Sequence, residues 1–128
     1  MVIKNILLVF VGAGTGGVAR YLVNTAFNPL LAPFPLSTLT VNVAGGFLAG
    51  ILVALLALRP GLDPTVRLLL LTGFMGGLTT FSAFSTEVGL LLQAGRALQA
   101  ATAIALHVVG SVGAALLGMA LCRALLTR

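Results

Sequence analysis

The feature that most constrains the fold is an apolar segment, at about 65–92, whose middle is built from residues that disfavour a helix. Leucine runs at 68–71 and 90–92 flank the sequence Gly-Gly-Leu-Thr-Thr at 76–80. Glycine holds helical geometry poorly, and threonine can hydrogen-bond its own backbone. Backbone groups freed within hydrocarbon are costly unless they face protein, water or an ion. The sequence therefore predicts a third membrane helix that is broken near its middle, at a place typical of ion sites.

The composition indicates an all-α membrane protein. The chain is 59% hydrophobic and 7% charged, whereas a soluble domain carries about 25% charged residues. Apolar segments at about 6–27, 36–58, 65–92 and 98–121 are long enough to cross a bilayer as helices. We therefore expect one transmembrane domain over residues 1–128, in a multi-pass protein of the cell (cytoplasmic) membrane.

The net charge of +5 does not indicate a nucleic-acid partner, because the basic residues are scattered at the ends of the apolar segments. At such positions they act as topology signals and contact lipid head groups. On the side of the termini we count five basic residues, and on the other side Arg96, together with Arg20 if its side chain reaches that interface. The five are Lys4, Arg59, Arg67, Arg123 and Arg128. The positive-inside rule would place the termini in the cytoplasm.

Several polar side chains fall inside the predicted spans and have two interpretations each. Arg20 either extends to the membrane interface or lines an aqueous vestibule that attracts anions. Thr38 and Asn42 are four residues apart and share a helix face. The Asn42 amide either makes an interhelical hydrogen bond or donates to a permeating anion. Glu87 is either a helix-end group near the interface or a partner of Arg20 or Arg96.

Two further pairs lie in the third and fourth spans. Phe81 and Phe84 are three residues apart on nearly one face, a spacing that by itself favours packing or lipid contact. His107 and Ser111 also share a helix face. We interpret His107 as a hydrogen-bonded helix residue without a ligand role, because no other ligand is near enough in sequence to complete a metal site.

Small residues and turn residues predict how the spans pack and begin. Three GxxxG pairs would allow close approach of another helix; they are Gly12 and Gly16, Gly46 and Gly50, and Gly73 and Gly77. Prolines at 29, 33 and 35 predict a loop after the first span. Asp63 is the expected N-cap of the third span, with Pro64 at its first position.

The stretch Gly-Phe-Met-Gly-Gly-Leu-Thr-Thr-Phe-Ser-Ala-Phe at 73–84 strongly resembles the Fluc (CrcB) family of microbial fluoride channels. Gly-Gly-Val-Ala-Arg-Tyr at 16–21 and Thr-Leu-Thr-Val-Asn-Val-Ala-Gly at 38–45 match the same family in order and spacing. With the four-segment layout, the resemblance covers essentially the whole chain. It implies a dual-topology homodimer of antiparallel subunits, with two fluoride pores and a structural sodium ion at its centre.

The resemblance also implies roles for individual residues. The sodium ion would be held by the backbone carbonyls of Gly76 and Thr79, and Arg20 would be the cation of the vestibule. The residues implied for the fluoride path are Phe81, Phe84, Asn42, Thr38, Ser82 and Ser111. The chain departs from the family pattern at Ala83, where threonine is usual and a pore hydroxyl would be lost, and at Ser37, where glycine is common.

These residues indicate passive permeation and not catalysis, since none of them supports redox, nucleophilic or phosphoryl chemistry. Fluoride is small and strongly hydrated, so amide and hydroxyl donors must replace its water, while the positive edges of phenylalanine rings attract it without trapping it. One alternative is a small dual-topology multidrug exporter, which needs a carboxylate in its first span that this chain lacks. The other is a non-transporting membrane scaffold, for which the glycine pairs would suffice.

Overall fold

The computed structural model describes residues 1–27 and 36–127, and within them every regular element is a helix. Helix α1 is Val2–Phe27 and helix α2 is Leu36–Leu58. The third span, Pro64–Gln93, is composite. It contains α3 (Pro64–Val66), a π-helix (Arg67–Met75), α4 (Gly76–Leu78) and α5 (Phe81–Gln93). The last helix, α6, is Ala97–Leu126.

Four helical spans are long and apolar enough to cross a membrane. The prediction of an all-α, multi-pass membrane protein is therefore confirmed. The expected loop with prolines at 29, 33 and 35 and the charge of Arg128 lie outside the described residues.

The third span begins with a capped turn. The Asp63 carboxylate accepts a hydrogen bond from the Thr65 backbone N–H at 2.9 Å, and Pro64 occupies the first turn. The predicted N-cap is thus confirmed. Hydrogen bonds from Thr65 to the charged carboxylate lower the pKa of Asp63. Because the folded pKa is depressed, the cap stabilises the helix above the usual aspartate range and is lost as the pH falls through the lowered pKa.

Two extended residues separate α4 from α5. Thr79 has φ −84° and ψ 158°, and Thr80 has φ −150° and ψ 116°. Thr80 also caps the next helix, because its Oγ1 atom accepts a hydrogen bond from the Ala83 N–H at 3.2 Å. The helical backbone resumes at Phe81.

The glycine pairs lie where helices touch backbone to backbone. A Cβ atom on Gly16 would be 2.1 Å from the Phe74 carbonyl oxygen, and one on Gly77 would be 2.3 Å from that of Ala13. A Cβ atom on Gly50 would be 2.1 Å from the Ala115 carbonyl oxygen. Real Cβ atoms do not approach so closely, so only glycine permits these crossings. The predicted packing faces are confirmed: α1 packs on the third span and α2 packs on α6.

Candidate functional site

The centre of the site is a reciprocal pair of hydrogen bonds between Asn42 and Thr80. The Asn42 Nδ2 atom donates to the Thr80 carbonyl oxygen at 3.0 Å, and the Thr80 N–H donates to Asn42 Oδ1 at 2.8 Å. The Asn42 side chain on α2 thus hydrogen-bonds both the N–H and the C=O of Thr80, an extended residue. Of the two interpretations of Asn42, the structure shows the interhelical bond, and the second Nδ2 hydrogen remains for another acceptor.

This pairing determines which carbonyls lose their helical donors. In an α-helix the Gly76 carbonyl would accept from the Thr80 N–H, and the Thr79 carbonyl would accept from the Ala83 N–H. Those two N–H groups donate instead to Asn42 Oδ1 and to Thr80 Oγ1. The two carbonyls that the resemblance assigns to a sodium ion are therefore deprived of these amide partners.

Most of the predicted site residues line one cavity of about 570 Å³, which we call the central cavity. The predicted residues in its wall are Asn42, Gly76, Thr79, Phe81, Phe84 and Ser111. The rings of Phe81 and Phe84 are tilted with respect to each other, with centroids 5.4 Å apart. Phe84 is buried, whereas Phe81 is 78% exposed in the single chain. The structure thus brings the amide, the rings and one hydroxyl of the predicted fluoride path together.

Two other predicted residues line a separate cavity of about 610 Å³, which we call the outer cavity. They are Arg20 from α1 and Ser82 from α5, and the cavity wall also contains Glu87. Thr80 lines both cavities, and its Oγ1 atom lies 3.2 Å from Ser82 Oγ. The extended residue therefore connects the Arg20 side of the site to the side with the phenylalanines.

Thr38 lies in the wall of neither cavity. It is buried, and its hydroxyl donates to Glu87 Oε1 at 2.5 Å. The other carboxylate oxygen of Glu87 is buried without a hydrogen-bond partner in the part of the chain that the structure describes. The sequence predicts Glu87 near the interface or beside an arginine and gives no indication of this contact with Thr38. Its position as the single carboxylate in a span was the one signal available from the sequence.

His107 was not assigned to the site from the sequence, but it lines the central cavity. Its Nδ1 atom lies 3.0 Å from the Ala103 carbonyl oxygen, so the predicted hydrogen bond within the helix is present. What the sequence did not indicate is the contact with Phe84, whose ring centroid is 4.4 Å from that of His107. In the sequence, only the one-turn spacing of His107 and Ser111 indicates that both face the central cavity.

Comparison with known proteins identifies the family. Residues 7–119 match the family model described as "CrcB-like protein, Camphor Resistance (CrcB)". The chain belongs to the CrcB family. Its relatives include a protein of Tolumonas auensis named "Fluoride-specific ion channel FluC", which is 52% identical over 116 residues and covers 91% of each chain.

Two further relatives of this CrcB chain carry the same printed name. The protein of Pseudomonas aeruginosa is 48% identical over 116 residues, and that of Desulfovibrio desulfuricans is 44% identical over 117 residues. Each alignment covers 91% of both chains. Membership in a family of membrane channels confirms the prediction that the chain is not an enzyme.

Proposed function

We propose that this CrcB chain is a fluoride-selective channel through which fluoride leaves the cell passively. The observation that carries the proposal is the Asn42–Thr80 pair, which sets an amide with a spare donor beside two phenylalanine rings. The names of the relatives support fluoride as the ion. A hydrated anion that loses water needs such replacement donors, yet must be released again.

In the central cavity, the donors are the second Nδ2 hydrogen of Asn42 and the Ser111 hydroxyl. Phe81 and Phe84 contribute ring edges, which carry partial positive charge and attract an anion weakly. A weak attraction suits permeation, because a site that held fluoride strongly would block the path. These groups replace water one at a time without forming a covalent bond to the ion.

In the outer cavity, Arg20 supplies a positive charge that raises the local concentration of anions. Ser82 supplies a hydroxyl on the same wall. Thr38, predicted as a pore hydroxyl, already donates its single hydrogen to Glu87. It could donate to fluoride only after releasing that carboxylate.

We propose that the functional unit is an antiparallel homodimer with two pores, in which the extended Thr79–Thr80 stretch breaks each third span near the dimer centre. The 78% exposure of Phe81 supports this, because a ring that guides an ion needs a second wall. The charge count predicts cytoplasmic termini and argues for one orientation. Labelling of an N-terminal cysteine in cells, in a Cys122→Ser background, should occur from both membrane faces; labelling from one face only contradicts dual topology.

We propose that a structural sodium ion binds the carbonyls of Gly76 and Thr79. These carbonyls fit a hard cation, because the amides that would pair with them in a helix donate elsewhere. Residues 1–27 and 36–127 contain no group of three His, Cys, Asp or Glu that could hold a metal. Once bound, the cation would supply a fixed positive charge in a low-dielectric region and so favour a nearby anion.

Fluoride efflux from liposomes tests the function directly. Vesicles that contain the purified protein should release fluoride rapidly and retain chloride. Protein-free vesicles, the control, should retain both ions. Replacing sodium by N-methylglucamine should slow the fluoride release if the cation site is as proposed. Absence of fluoride release from intact reconstituted protein would overturn the channel. An exporter would move organic cations in the same vesicles, and a scaffold would move neither.

A further inference from the structure

Gly45 of α2 lies against the side chain of Thr79, the first of the two extended residues in the third span. A Cβ atom on Gly45 would be 2.3 Å from the Thr79 Cγ2 methyl group, closer than real Cβ atoms approach. The next nearest atoms, Thr79 Cβ and Leu78 Cδ2, would be 3.7 and 3.8 Å away, which are ordinary contact distances. Of the described atoms, only this methyl group therefore requires glycine at position 45.

The orientation of the Thr79 side chain is determined by a hydrogen bond within its own span. Its Oγ1 atom donates to the Met75 carbonyl oxygen at 2.9 Å, and its backbone N–H donates to the same oxygen at 3.0 Å. With the hydroxyl directed at Met75, the tetrahedral Cβ atom directs the methyl group at Gly45. Of the other two staggered rotamers, one turns the hydroxyl against Gly45, and the other turns the methyl group against the Met75 carbonyl. Neither of them keeps the hydrogen bond to Met75.

Gly45 and Asn42 lie about one turn apart in α2 and contact consecutive residues of the third span. The Thr79 C=O and the Thr80 N–H belong to one planar peptide group and point in opposite directions. Asn42 Oδ1 accepts from the Thr80 N–H at 2.8 Å and so holds one end of this group. Gly45 receives the methyl group of Thr79, the residue at the other end. The direction of the Thr79 carbonyl therefore depends on both contacts with α2.

We propose that Gly45 is a positioning residue for the sodium site, because its missing side chain admits the Thr79 methyl group and so sets where the Thr79 carbonyl lies. The inference rests on the proposed sodium site, to which Gly45 itself offers no ligand. A Cβ atom at position 45 must either displace Thr79 or remove its hydroxyl from Met75. The oxygen ligands of a hard cation lie within a narrow range of distances, so a displaced carbonyl binds the cation weakly.

Binding of radioactive sodium to the purified protein in detergent tests the inference without requiring transport. Gly45→Ala should raise the sodium dissociation constant at least about tenfold, with N-methylglucamine as the replacing cation. Thr79→Ser supplies the background that isolates the methyl contact, because serine keeps the hydroxyl and lacks the methyl group. In that background, Gly45→Ala should change the sodium dissociation constant less than about twofold, since the atom with which the new Cβ collides is gone.

Gly50→Ala is the matched control on the same helix. A Cβ atom there would be 2.1 Å from the Ala115 carbonyl oxygen of α6, so this variant should be less stable to heat. Its folded fraction should nevertheless bind sodium with wild-type affinity. Weakened sodium binding in Gly50→Ala would assign the effect to any loss of α2 packing and would overturn the role of Gly45.

A Gly45→Ala protein that does not fold leaves the proposal testable. The double variant Gly45→Ala/Thr79→Ser should then fold and bind sodium as Thr79→Ser does. If the double variant fails to fold or to bind sodium while Thr79→Ser does both, the inference is wrong.

The two proposals fail in distinguishable ways. If the wild-type protein binds no sodium, the proposed cation site is contradicted, and with it the role of Gly45. If the wild type binds sodium and Gly45→Ala binds it equally well, the site stands and the positioning role is wrong. The same holds if Gly45→Ala weakens sodium binding equally in the wild-type and Thr79→Ser backgrounds.

Discussion

Replacement of Asn42 by leucine should abolish fluoride flux and make the protein less stable to heat. Thr80 is 7% exposed, and its N–H and C=O both depend on the Asn42 amide. Each buried backbone group left without a partner costs about 1–3 kcal/mol. The variant also loses the spare amide donor that we propose for fluoride. Liposome flux measures the first effect, and the fraction of protein that elutes as folded after heating in detergent measures the second.

Asn42→Asp changes the charge of the same side chain and keeps its acceptor. Its carboxylate still accepts from the Thr80 N–H but sets a negative oxygen against the Thr80 carbonyl, so the variant should also be less stable than the wild type. Its negative charge should repel fluoride and stop the flux. Thr40→Val is the matched control, because the Thr40 hydroxyl donates to Leu36 within its own helix. If Asn42→Leu conducts like the wild type, the amide is not part of the path.

Features that depend on local chemistry could be predicted from the sequence. Apolar length alone indicated the four spans, because hydrocarbon thickness determines how many residues a helix needs to cross it. The cap at Asp63 followed from residue types in one turn. The packing faces at Gly16 and Gly50 could be predicted from glycine spacing. Glycine has no side chain, so it permits close backbone contact whichever helix is the partner.

Features that depend on which helix faces meet could not be predicted in the same way. Asn42 and Thr80 are 38 residues apart, and Thr38 and Glu87 are 49 apart. Spacing within α2 shows that Thr38 and Asn42 share a face, but not that one meets a backbone and the other a carboxylate. The contact of His107 with Phe84 likewise joins two helices. The family resemblance named the amide, the two rings and the Ser111 hydroxyl of the central cavity, because it carries such long-range information.

The exposed ring of Phe81 gives the prediction with the cleanest separation of function from folding. Phe81→Ile should slow fluoride flux at least about tenfold, which corresponds to a loss of roughly 1.4 kcal/mol at the highest barrier. Isoleucine keeps an apolar side chain but has no ring edge to attract the anion. Because Phe81 is 78% exposed in the single chain, the change removes little internal packing. Flux per reconstituted protein measures the loss, and size-exclusion chromatography reports whether assembly is retained.

Phe10→Ile is the matched control for this substitution. Phe10 is 74% exposed on α1 and lies in the wall of neither cavity, so the same change there should leave flux at the wild-type level. Phe84→Ile is a poorer test, since the buried Phe84 ring packs on Val88, Ala100 and Ala103 and its loss would also weaken the fold. If fluoride flux is slow in Phe81→Ile and normal in Phe10→Ile, the loss is due to the missing Phe81 ring in the path. Equal flux in both variants would remove Phe81 from the path and leave its exposure to be explained by lipid or by the dimer contact alone.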